Sequence, residues 1–139
     1  VKYFKLKKEK KMFKKTITYH DYNGQEIKED FYFNLSKAEI MEMQLEKSGG
    51  FAEKIQRVVD TKDVPEIIKI FKELILKSYG IKSDDGKRFV KSEKLREEFT
   101  QTEAYSELFL ELATDADAAS AFVNGIIPAE QLKAIQEKK

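Results

Sequence analysis

Apolar positions follow a period of two from Met12 to Asn34. Phe13, Ile17 and Tyr19 alternate with Thr16, Thr18 and lysines, and Phe31, Tyr32 and Phe33 anchor a second run. This period places side chains on opposite faces of a strand. Asp21-Tyr22-Asn23-Gly24 separates the two runs. Asn-Gly is a strong hairpin signal, because both turn residues tolerate positive φ. The stretch is predicted to be a β-hairpin. Two strands alone are marginal in water, so its aromatic face must pack on helices or pair with another chain.

From Leu35 onward the period is helical. Leu35-Ser36-Lys37-Ala38-Glu39-Ile40 reads as a capping box with a hydrophobic staple. The first helix is predicted to run to about Lys47, with Ala38, Met41 and Leu45 on one side and Ser48-Gly49-Gly50 as its stop. A second, from Phe51 to about Val59, has Phe51, Ile55, Val58 and Val59 apolar. A third starts around Asp63-Pro65-Glu66 and runs to about Tyr79, where Gly80 ends it. Ile67, Ile68, Ile70, Phe71, Leu74, Ile75, Leu76 and Tyr79 make it apolar round much of its circumference, which predicts burial on more than one side.

Ser83-Asp84-Asp85-Gly86 then reads as a turn, Lys87 to Lys91 as extended chain, and Ser92 as the cap of a short helix over Glu93–Phe99. The strongest pattern lies between Phe99 and Pro128. Tyr105, Leu108, Phe109, Leu112 and Ala113 form one helical stripe, on a helix started by Thr100 or Thr102. Ala116, Ala119, Phe122 and Val123 form another, started by Thr114, and Gly125 and Pro128 close it. Leu132 and Ile135 suggest a last amphipathic turn. The expected fold is α+β and mostly α: an N-terminal β-hairpin followed by about five to seven short helices in one compact domain, residues 12–139.

Composition narrows the function more than the fold. A chain of 139 residues is about one domain. It has no cysteine, which excludes disulfides, thiolate metal sites and cysteine nucleophiles and makes a reducing cytoplasm the default compartment. His20 is the single histidine. No apolar run approaches the ~18–20 residues of a membrane span. Residues 1–15 hold eight lysines against Glu9, a net of +7, so the remainder carries −6. The basic tip, residues 1–11, reads as a tail and not as a secretory signal, and Met12 is a candidate start that would make the tip an upstream extension. A basic face on the fold itself is not supported, which argues against nucleic-acid binding.

Candidate chemistry dissolves on inspection. His20 beside Asp21 has no serine or cysteine partner motif and reads as an exposed turn histidine. Asp84-Asp85-Gly86 fails as a calcium loop, because alignment on Gly86 puts Ile81 and Ser92 where ligands belong. Asp115 and Asp117 suit a helix N-terminus. The glycines form neither a dinucleotide fingerprint nor a phosphate loop. No catalytic, metal or cofactor residues are expected, and the reading is a binding protein. Ala118, Ser120 and Ala121 would let a partner helix approach closely, although alanine is also simply a good helix former. Leu110, Ala118, Ala121 and Tyr32 are the candidate partner-contact residues.

Three stretches resemble a known family: MFKKTITYHDYNGQEIKEDFYFNLSKAEIMEMQL, IIKIFKELILKSYGIKSDDGKRFVKS and FTQTEAYSELFLELATDADAASAFVNGIIP. They are similar to the small tail assembly chaperones encoded in tail modules of phages and prophages of Firmicutes. The resemblance spans about Met12 to Pro128, and its last segment is the most specific. It implies a non-enzymatic protein of the host cytoplasm that binds the tape measure protein. Such a protein keeps its partner soluble while tail tube subunits polymerise, and is absent from the finished virion. It also implies a possible frameshifted longer form of the same protein, contact with the tail tube protein, and homo-oligomers. The competing readings are a structural tail or head-completion protein, and a small nucleic-acid-binding regulator using the lysine tip.

Overall fold

Two hairpins set side by side form one antiparallel sheet in the order β1-β2-β3-β4, and helices cover one of its faces. The computed structural model describes residues 12–45, 50, 53–54, 56–57 and 64–128. The basic tail 1–11, positions 48 and 49 of the helix stop, the apolar positions 51, 55, 58 and 59, the start signal at Asp63, and the final turn beyond Pro128 all lie outside them.

Strand β1 (Phe13–His20) pairs with β2 (Glu26–Phe33) from Phe13↔Phe33 to His20↔Glu26. The connection is longer than a two-residue Asn-Gly turn. Asp21 N donates to Gln25 O and Gly24 N to Asp21 O, each at 2.9 Å, leaving Tyr22-Asn23-Gly24 as the loop. Gly24 has φ +84, and no non-glycine among the described residues has positive φ, so Asn23 does not take the role expected of it. The Asp21 carboxylate decides this. It accepts from the amides of Asn23 and Gln25 at 2.9 Å each, favouring a turn that needs left-handed backbone only at its last residue.

Phe13, Ile17, Phe31 and Phe33 face the helices, whereas Lys14, Thr16, Thr18, Lys28 and Asp30 face outward. Phe33 is fully buried and is the hub of the core, with the rings of Phe13, Tyr79, Phe99 and Phe122 at centroid distances of 5.4–6.4 Å.

Helix α1 (Lys37–Gln44) opens with the predicted capping box: Ser36 Oγ accepts from Glu39 N at 3.1 Å, and Ser36 N donates to Glu39 Oε1 at 2.8 Å. Both staple residues, Leu35 and Ile40, are fully buried. Gly50, Glu53, Lys54, Gln56 and Arg57 are also helical. Helix α2 (Val64–Ser78) buries one broad face, Ile70, Phe71, Leu74 and Ile75. Ile68 and Val64 are exposed, so burial on more than one side is not realised.

Tyr79 and Gly80 do not end this helix. They begin β3 (Tyr79–Lys82), which pairs with β2 through Tyr32↔Gly80 and Phe33↔Tyr79 and with β4 (Phe89–Val90) across the Ser83–Gly86 turn. Tertiary contact overrides the helical period here. The Tyr79 ring stacks on Phe99 at 4.3 Å and 10°, while Ser78 Oγ closes the last helical turn onto Leu74 O at 2.6 Å. Gly80 serves close approach and not a cap. A Cβ there would lie 2.8 Å from the Phe89 ring and from Val90 O.

Ser92 caps α3 (Glu93–Thr100) and Thr102 caps α4 (Glu103–Thr114), accepting from Leu95 N and Tyr105 N. Helix α5 (Ala116–Ile126) is capped by Asp115, whose Oδ1 accepts from Asp117 N and Ala118 N at 3.0 and 3.1 Å. Thr114 belongs to the preceding helix, where its hydroxyl donates to Leu110 O. Gly125 lies inside α5 and does not close it, because a Cβ at that position would overlap the Phe13 ring. The buried residues are Ala104, Leu108 and Leu112 on α4 and Phe122 and Ile126 on α5. Tyr105 and Phe109 are half-buried at the margin, and Ala113 and Ala116 are exposed.

Candidate partner-binding surface

Asp85 and Asp115 serve a turn and a helix cap. His20 is exposed at the end of β1. Asp85 Oδ1 accepts from Ser83 Oγ at 2.7 Å and Lys87 N at 3.0 Å, and these bonds hold its carboxyl below the usual range within a turn where Gly86 has φ +74. No cluster of three metal-ligating side chains occurs among the described residues. A cleft of about 250 Å³ is lined by Leu35, Glu39, Glu42, Met43, Lys77 and Arg96. That is below the roughly 300–1,000 Å³ of ordinary small-molecule sites.

Beside this cleft lies the densest polar node. Lys91 Nζ donates to Asn34 O and Lys77 O at 2.7 Å and to both Glu39 oxygens at 2.8 Å. Burial pushes its pKa down, and the Glu39 carboxylate works against that shift. Arg96 Nε takes Leu76 O at 2.8 Å, so two cations satisfy carbonyls at the α2 C-terminus.

The four predicted contact residues do not converge. Leu110 points outward from α4, 63% exposed, along a strip with Glu103, Glu107 and Ala113. Ala121 is exposed with Ser120 on α5, but Ala118 is half-buried and packed against the core. Tyr32 alternates with Phe31 and Phe33 and therefore lies on the outer face of the sheet, where Lys82 Nζ sits 4.5 Å from its ring centroid. The sheet separates it from α4 and α5.

A larger apolar feature was not among those residues. Ala38, Met41 and Leu45 lie on one side of α1 as expected, and that side faces away from the core, with Met41 65% and Leu45 84% exposed. The signal was present in the staple. With Ile40 and Met43 turned inward, the helical period carries positions 38, 41 and 45 to the opposite side.

Among the described residues no helix is long and apolar enough to cross a membrane. No curated protein and no solved structure matches the chain. A family model described as phage tail assembly chaperone matches residues 12–139. Its match extends over both hairpins and helices α1 to α5, and the chain belongs to the phage tail assembly chaperones.

Proposed function

We propose that the protein binds the tape measure protein in the host cytoplasm and keeps it soluble while tube subunits polymerise around it. The observation that carries this reading is the outward stripe of α1. Met41 and Leu45 are exposed a helical turn apart, on a helix whose other side is locked into the core by Leu35 and Ile40. A partner helix laid along such a stripe buries apolar surface on both molecules, which suits a long helical client whose own apolar faces would otherwise aggregate. Leu110 offers a second contact on α4.

Co-expression with the tape measure protein is the direct test. The expected result is a soluble complex that co-purifies. Met41→Asp combined with Leu45→Asp should return the partner to the insoluble fraction while the variant itself stays folded. If the wild-type protein neither binds nor solubilises that partner, the reading fails. Recovery of the protein in purified virions would favour a structural role instead.

A further inference from the structure

We propose that the outward face of α4 docks a lysine- or arginine-bearing amphipathic helix, with Leu110 as its apolar anchor. From Glu97 to Pro128 the chain holds seven carboxylates and no lysine, arginine or histidine. Three of them have work within the fold: Asp115 caps α5, Glu111 receives Lys15 of β1 at 2.9 Å, and Glu103 accepts from Tyr22 OH at 3.3 Å, leaving Glu107 as the carboxylate nearest Leu110. Glu103 and Glu107 lie seven and three positions before Leu110 on the same exposed strip, so the anchor is bordered by negative charge along the helix. Lys15 on Glu111 shows a lysine ammonium already received by this helix at its margin.

The charge selects the occupant. A helix offering leucine between lysines would cover Leu110 and set cations against Glu103 and Glu107, whereas an acidic helix would meet like charge. A second copy is disfavoured on the same ground, because a two-fold contact through this face would oppose carboxylates to carboxylates. The inference rests on the proposed function for a helical ligand and for contact at Leu110, and it names the kind of client segment that α4 takes.

The test uses the full chain and two helical peptides of identical leucine spacing, one filled with lysine and one with glutamate, followed by fluorescence anisotropy. The lysine peptide should bind and the glutamate peptide should not, with affinity falling as salt rises. Glu107→Lys and Leu110→Ser should each weaken binding about tenfold. Glu26→Lys, an identical charge change on the exposed outer side of the hairpin, should leave it unchanged. Circular dichroism of each variant establishes that it is folded. Equal binding of the two peptides, indifference to Glu107→Lys, or an equal loss in Glu26→Lys would overturn the proposal. None of these outcomes depends on the tape measure protein, so failure of the co-expression experiment remains a separate result.

Discussion

Lys91 links the end of β2, the start of α1 and the last turn of α2 through one ammonium group. Lys91→Met keeps the stem but strips the donors from Asn34 O and Lys77 O, and urea denaturation should show a loss of about 1–3 kcal/mol. Lys14→Met is the contrast. Its ion pair with Asp30 is 3.9 Å long and half-exposed, a class worth roughly 0–1 kcal/mol, so little change is expected.

Gly125→Ala sets two effects against each other. Alanine gains about 1 kcal/mol of helix propensity, whereas overpacking costs about 1–3 kcal/mol. Because the new methyl would overlap the Phe13 ring, destabilisation should win, and adding Phe13→Leu should recover much of the loss.

Tyr19 donates to Glu29 at 2.6 Å, a hydrogen bond to a carboxylate that pushes its pKa up to about 12. The stability this contributes is present below the ordinary tyrosine pKa of about 10 and is lost as pH rises towards 12. Alkaline spectrophotometric titration should show a late-ionising tyrosine that disappears in Tyr19→Phe and shifts down in Glu29→Gln.

At the scale of elements, caps define boundaries better than periodicity does. Ser36, Ser92 and Thr102 announce their helices in sequence and act as caps in the structure. Between α4 and α5, Thr114 and Asp115 are adjacent and both suit the position. The carboxylate takes it because it reaches two amides at once, while the threonine hydroxyl bonds back to Leu110 O. Asp115→Ala should therefore cost about 0.5–2 kcal/mol in thermal or urea unfolding, and Thr114→Ala close to nothing.

The stripe on α4 was legible in outline and displaced in detail. Tyr105 and Phe109 share its apolar character but stand at the core margin, while Ala104 lies at its centre. Leu108→Ala should cost about 2–5 kcal/mol, and Phe109→Ala less than full burial of its ring would imply, so the protein should survive it. Strand β3 was not legible from local pattern. Tyr79 continues a helical period, and only the stacking of its ring on Phe99 and its pairing with Phe33 turn it into a strand.

For the whole molecule, the sheet divides two surfaces of different character. Its inner face and the helices hold the aromatic core, and its outer face is largely polar on β1 and β2, with Tyr32 beneath Lys82 and Phe89 opposite Lys82. Among the described residues the exposed large apolar groups are Met41, Leu45, Val64, Ile68 and Leu110 along the helices and Tyr22 and Ile81 on the hairpins. The family was legible in the residues themselves, since the three stretches between Met12 and Pro128 that resemble tail assembly chaperones lie within the matched residues 12–139. Which apolar side of α1 stays exposed was not legible, because sequence pattern marks a residue as apolar and only packing decides which side is left over.

The two hairpins meet through just Tyr32↔Gly80 and Phe33↔Tyr79, and their partners stand on either side of α1 and α2 in the chain. This seam has a kinetic consequence. The β1–β2 hairpin closes a short loop and can form early, whereas the seam must await the helices that bring its halves together. Substitutions at Gly80 should therefore speed unfolding and leave the refolding rate nearly unchanged, while changes in the Asp21–Gln25 turn should slow refolding.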